Sequence, residues 1–174
     1  MIRRILCGLL VVIFFGIPAI ARTKKNLSPR EFALRFYALL YELKIIGLPD
    51  AEEFKMIAPF LSPSLRDLIL AAKQKQKKYI KENPTHKSPW IEDDLFSISE
   101  QTFRYKIGEI FFSSKQISIP IRITDREGKV TLRHTDTILL KRIKTVWRVS
   151  NLFYETNEEF NPKNSLRNFL KDEY

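Results

Sequence analysis

The spacing of hydrophobic positions changes once along the chain, from a period of about 3.6 residues to a period of two. Before the change, in LSPREFALRFYALLYELKIIG, Phe32, Phe36, Leu39, Leu40 and Leu43 recur at helical spacing, and Ala33 and Tyr37 widen the stripe. Ser28 can cap, Pro29 suits the first helical position and Glu31 completes a capping box. A helix is therefore predicted over 29–46, ended by Gly47 and Pro49. A short second helix follows Asp50 in PDAEEFKMIAPFL. A third opens with the same Ser-Pro signal at Ser62 and Pro63 and stops at Asn83-Pro84. On it Leu65, Leu68, Ile69, Ala72, Tyr79 and Ile80 share a face. Lys73, Lys77 and Lys81 form a row on another, joined by Lys75 and Lys78, as a solvated face would.

Beyond the polar, proline-containing connection 83–101, strict alternation takes over. Strands are predicted over 103–112, 116–124, 129–141 and 146–155. In QISIPIRIT, Ile117, Ile119, Ile121 and Ile123 take one face and Ser118, Pro120, Arg122 and Thr124 the other. DREGK supplies a hairpin turn, with Gly128 free to take positive φ, and RIKT supplies a tighter one. Pro120 has no N–H, so its strand is expected to be incompletely paired there. Ser165 caps a short tail helix with Leu166, Phe169 and Leu170 on one side. Helices first and a strand meander second make an α+β plan: N-terminal helices packed on a four-stranded antiparallel sheet, with a short C-terminal helix.

The N-terminus changes the setting of that plan. Arg3 and Arg4 precede an uncharged apolar run from Ile5 to Ile20, and Ala19-Ile20-Ala21 is a small-x-small cleavage signal behind Pro18. These are the parts of a secretory signal peptide, with cleavage after Ala21 and a single domain over 22–174. The run falls short of the roughly 20 apolar residues that span a bilayer, which counts against a retained anchor. Cys7 lies inside the segment, so the exported chain has no cysteine and no disulfide framework. Loss of Arg3 and Arg4 takes the net charge from +10 to +8. A basic exported chain points to an envelope protein or an anionic membrane surface as partner, or to charge kept for solubility, and away from nucleic acid.

The order of elements resembles the nuclear-transport-factor-2-like (cystatin-like α+β) superfamily. More narrowly it resembles a YbjP/YqhG-like envelope family, a domain of unknown function in exported Gram-negative bacterial proteins. The carrying stretches are SPREFALRFYALL, FLSPSLRDLI, WIEDDLF, VWRVSNLFY and NSLRNFL, which together span nearly all of the chain after the signal segment. The resemblance implies a curved sheet wrapping the helices around a cone-like pocket, and an envelope location. It transfers no catalytic residue. Some members of that family are lipoproteins, and this chain departs from them because Cys7 precedes the cleavage point.

Candidate chemistry is sparse. His86 and His134 are the only histidines, which leaves a zinc site of the usual nitrogen and sulfur type without ligands. In SPWIEDDLF, Glu92, Asp93 and Asp94 are contiguous, so their side chains diverge, and no glycine follows to turn a calcium loop. Asp93 or Asp94 is expected to cap a local turn, with Trp90, Ile91, Leu95 and Phe96 sealing the pocket or the end of the sheet. Isolated glycines give no phosphate loop, so no nucleotide cofactor is expected. The best catalytic material is His134 and Asp136, two apart on a strand and facing the same way as Ile138 and Leu140. Arg148, Tyr154 and Tyr37 or Tyr41 could add polar groups to a pocket around them. The candidate binding residues are Trp90, Asp93, Asp94, Tyr37 and Arg148, with no cofactor and no metal. Three functions follow: a non-catalytic envelope domain that binds a protein or small ligand, an inhibitor or immunity protein against an envelope enzyme, or a pocket enzyme using His134 and Asp136.

Overall fold

Each of the four predicted N-caps, Ser28, Asp50, Ser62 and Ser165, starts a helix, but the Ser165 side chain makes no cap hydrogen bond among the described residues. The computed structural model describes residues 27–91, 95–96, 103–127, 130–154 and 164–171. The apolar N-terminal segment, the acids Glu92, Asp93 and Asp94, and the Gly128 turn lie outside them. Helix α1 runs Pro29–Leu43, and its capping box is complete: the Glu31 N–H donates to Ser28 Oγ and the Ser28 N–H to the Glu31 carboxylate. It ends three residues before the predicted stop, because Lys44 takes a left-handed conformation and closes the last turn on Leu40 O. Helix α2 (Ala51–Ile57) has the same reciprocal box between Asp50 and Glu53 and runs into a 3-10 turn, Ala58–Phe60. Helix α3 (Pro63–Glu82) is capped by Ser62 and ends at Asn83.

The sheet runs in the order β1-β3-β4-β5 and is antiparallel throughout, with strands β1 (Phe103–Ile107), β3 (Ile117–Glu127), β4 (Val130–Ile143) and β5 (Val146–Tyr154). The single strand predicted over 103–112 is instead two, β1 and the short β2 (Phe111–Phe112), both paired with β3. Pro120 is the reason. Toward β1 and β2 it offers only its carbonyl, which the Gly108 N–H takes at 2.7 Å, so the ladder breaks on that side while pairing with β4 runs on through Pro120 and Thr137. Residues 108–110 therefore bulge opposite 119–120. Gly108 is needed there, since a Cβ would lie 2.8 Å from Pro120 Cγ.

The alternation read from QISIPIRIT is the one observed. Ile117, Ile119, Ile121 and Ile123 are buried, whereas Ser118, Pro120, Arg122 and Thr124 are half-buried or exposed. On that apolar face sit Phe32, Phe36, Tyr37 and Leu40 of α1 and Leu65, Ile69 and Ala72 of α3. The stripe predicted for α3 does not hold to its end: Ile80 is exposed, and the buried positions stop at Ala72. The free edge of β5 is covered. Ser62 N–H donates to Val149 O, and the short helix α4 (Leu166–Phe169) sits against the strand through Tyr154 N–H to Asn164 O and Arg167 N–H to Asn151 Oδ1.

Candidate functional site

Strand register assembles the polar group. One row across the sheet reads Tyr105, Ile123, His134, and the next reads Ile107, Ile121, Asp136, Tyr154. Alternation puts Asp136, Ile138 and Leu140 on the core face, as their two-residue spacing predicts, and all three are buried. Tyr37 of α1 lies over this face, its ring 5.6 Å from that of Tyr105. His134 and Asp136 are thus brought together with Tyr37 and Tyr154, as the sequence anticipates. Tyr105 joins them, and its signal was the alternation in FRYKI that sets it two positions from Ile107.

Geometry limits what the pair can do. His134 Nε2 stands 4.0 Å from Asp136 Oδ1, longer than a hydrogen bond. Asp136 is 1% exposed, while the His134 side chain is 35% exposed. The carboxylate is shut beneath α1, and only the imidazole reaches the surface.

The tyrosines report the same enclosure. Burial pushes the Tyr37 phenol well above its ordinary range, and the fields of Asp136 and then Tyr154 add to it. Burial first and Asp136 second do the same at Tyr154, whose hydroxyl donates to Leu95 O. A phenol is neutral when protonated, so raised folded values make stability fully present below the unfolded value of about 10 and lost as pH rises above it. Urea unfolding at neutral and alkaline pH should show that loss. Among the described residues the Tyr37 hydroxyl has no hydrogen-bond partner. Tyr37→Phe is therefore expected to raise stability at neutral pH by about 1 kcal/mol and to flatten the alkaline decline. A loss of stability in that variant would contradict this reading of the hydroxyl.

Other candidates fall elsewhere. Arg148 pairs with Lys141 in register, seven residues along β4 from His134 and so roughly 23 Å away. Its guanidinium donates to Trp147 O, and it adds nothing to the polar group. Tyr41 is exposed. Trp90 is a structural anchor: its ring is buried and its Nε1–H donates to Phe169 O at 3.0 Å. Leu95 and Phe96 are buried beside it, as a sealed sheet end requires, but Ile91 is exposed. Asp93 and Asp94 lie outside the described residues. Among the described residues no three of His, Cys, Asp and Glu group so as to hold a metal ion, and no helix is long and apolar enough to cross a membrane.

The lysine row on α3 is not uniform. Lys73 is half-buried and donates to Pro49 O at 2.6 Å, so it fastens α3 to the start of α2. Lys77 and Lys81 are exposed. Beside Lys77 and the exposed Leu70 and Ile80 runs an open groove of about 440 Å³, also lined by Lys73, Gln74 and Gln76, and Lys81 follows one turn beyond Lys77.

No protein family and no curated protein matches the chain. Two solved structures bear a distant likeness. A SEC-C motif containing protein from Rhodopseudomonas palustris is 15% identical over 74% of this chain and 80% of its own, with a TM-score of 0.43. An NTF-2 like protein of unknown function from Shewanella oneidensis MR-1 is 19% identical over 48% of this chain and 61% of its own, with a TM-score of 0.29. Neither places a residue role on this chain.

Proposed function

We propose that the chain is an exported cell-envelope domain that works by binding a protein or small ligand, not by catalysis. The observation that carries this reading is the groove on α3, where exposed Leu70 and Ile80 lie beside Lys73 and Lys77. Exposed apolar positions edged by cations suit a partner with an apolar ridge and acidic flanks. The enzyme reading has less support, because Asp136, the group best placed for general-base work, is 1% exposed. Export rests on the Arg3–Ala21 segment pattern. We attach the chain to the nuclear-transport-factor-2-like plan, with its cone-like sheet, and within it to the YbjP/YqhG-like envelope family, on the order of its elements. Inhibition of an envelope enzyme is one form the binding could take. Fractionation of the expressing cell tests the reading: the chain should sit in the envelope fraction, begin at Arg22, and cross-link to a partner there. Recovery from the cytoplasm with Met1 in place would overturn it.

A further inference from the structure

Two turns meet at one end of the sheet. The row Phe112, Ile117, Leu140, Val149 is the last one that crosses the whole sheet at that end. Beyond it project the β2–β3 link, 113–116, and the tip of the β4–β5 hairpin, turning at Lys144 and Thr145. Phe111 and Phe112 are 56% and 75% exposed, far outside the core that the alternation of the neighbouring strands builds. Ile143 and Val146, paired with each other at the hairpin tip, are exposed as well.

The charged residues of the two tips and the strand ends that carry them have one sign, with the exposed Glu109 two residues before Phe111. Residues 110–118 and 137–150 contain Lys115, Lys141, Arg142, Lys144 and Arg148 and no Asp or Glu. Lys115, Lys141, Arg142 and Lys144 are exposed, and among the described residues no carboxylate forms an ion pair with any of the five. Arg66 of α3 adds to the group, close enough that its charge, after burial, lowers the Arg148 pKa. Arg142 lies over the Trp147 ring, 5.5 Å from its centroid.

We infer that this end of the sheet docks on an anionic lipid surface, with Phe111 and Phe112 entering the headgroup layer and the lysine and arginine side chains meeting the lipid charges. The chemistry is that of an interfacial anchor: apolar side chains flanked by cations whose stems can lie along the apolar layer. The apolar groups stand beside turns instead of lining a groove, which suits a layer that closes around them better than a preformed protein pocket. Unopposed positive charge on the same tips supplies the complement to anionic headgroups.

Flotation of the full chain, as recovered after export, with vesicles tests this. All variants carry the same N-terminus, so differences among them report the sheet end. The chain should float with phosphatidylglycerol mixed into phosphatidylcholine and not with phosphatidylcholine alone. Lys141→Glu/Lys144→Glu should weaken binding at least about thirtyfold, each lysine near the surface counting for roughly fivefold before reversal. Phe111→Ser/Phe112→Ser should weaken it about tenfold or more. Both changes are at exposed positions, and near-ultraviolet circular dichroism confirms that the variants stay folded. Lys77→Glu/Lys81→Glu on α3 should leave vesicle binding within about twofold, so failure here is distinguishable from failure of the α3 reading. Wild-type binding by either sheet-end variant overturns the proposal. So does capture of polyglutamate without vesicle binding, since that result marks an acidic protein as the partner.

Discussion

Gly47→Ala is expected to lower the stability of the fold by about 3 kcal/mol or more, a large effect for one methyl group. Gly47 holds φ at +67°, where a side chain costs about 1–2 kcal/mol by itself. A Cβ there would also sit 2.2 Å from Trp90 O and 3.3 Å from Ile91 O. The obstruction is backbone, and it is held in place. Trp90 is itself left-handed, at φ 57°, and its indole is buried and bonded to Phe169 O. Relief would have to pull the indole from its seat. Urea unfolding should show a lower midpoint with an unchanged slope. An unchanged midpoint would mean that residues 89–91 yield easily.

The second large effect belongs to the other half of that contact. Trp90→Ala should cost about 3–5 kcal/mol, the range for removing a buried large aromatic. It also removes the donor to Phe169 O, so amide exchange should accelerate across 164–171 as α4 loosens. Trp90→Phe keeps most of the buried surface and loses the hydrogen bond, and should cost only about 1–2 kcal/mol. If Trp90→Ala instead unfolded at the wild-type midpoint, Trp90 would be a ligand-facing residue, as its place beside the acids of SPWIEDDLF first suggested.

Caps and alternation are local, and they were readable. Ser28, Asp50 and Ser62 start helices because their side chains reach N–H groups three residues away. Ile117 to Ile123 and Asp136 to Leu140 face the core because a strand's period is two. The interruption at Pro120 was readable for the same local reason. Convergence of Tyr37 and Tyr154 on Asp136, with Tyr105 against Tyr37, was only half visible, because it depends on the register of four strands and on where α1 crosses them. The Gly47–Trp90 contact joins residues far apart in sequence, so nothing in either neighbourhood announces it. Ile80 was misread because a helical stripe says which face is apolar, not how far along the helix the body beneath it extends. Arg148 shared a strand with Tyr154 but not an end of it. The basic end of the sheet was missed because its cations lie on two hairpins that only the β3–β4 pairing brings together.

On the proposed reading the open basic face of α3 binds the partner, and the His134–Asp136 pair, whose carboxylate is buried, does not. The most direct test is the yield of cross-linked partner recovered from envelope fractions with wild type, His134→Ala and Lys77→Glu/Lys81→Glu. The yield is expected to stay within about twofold of wild type for His134→Ala and to fall about tenfold or more for the lysine reversal. Full retention by the lysine variant together with loss in His134→Ala would contradict it.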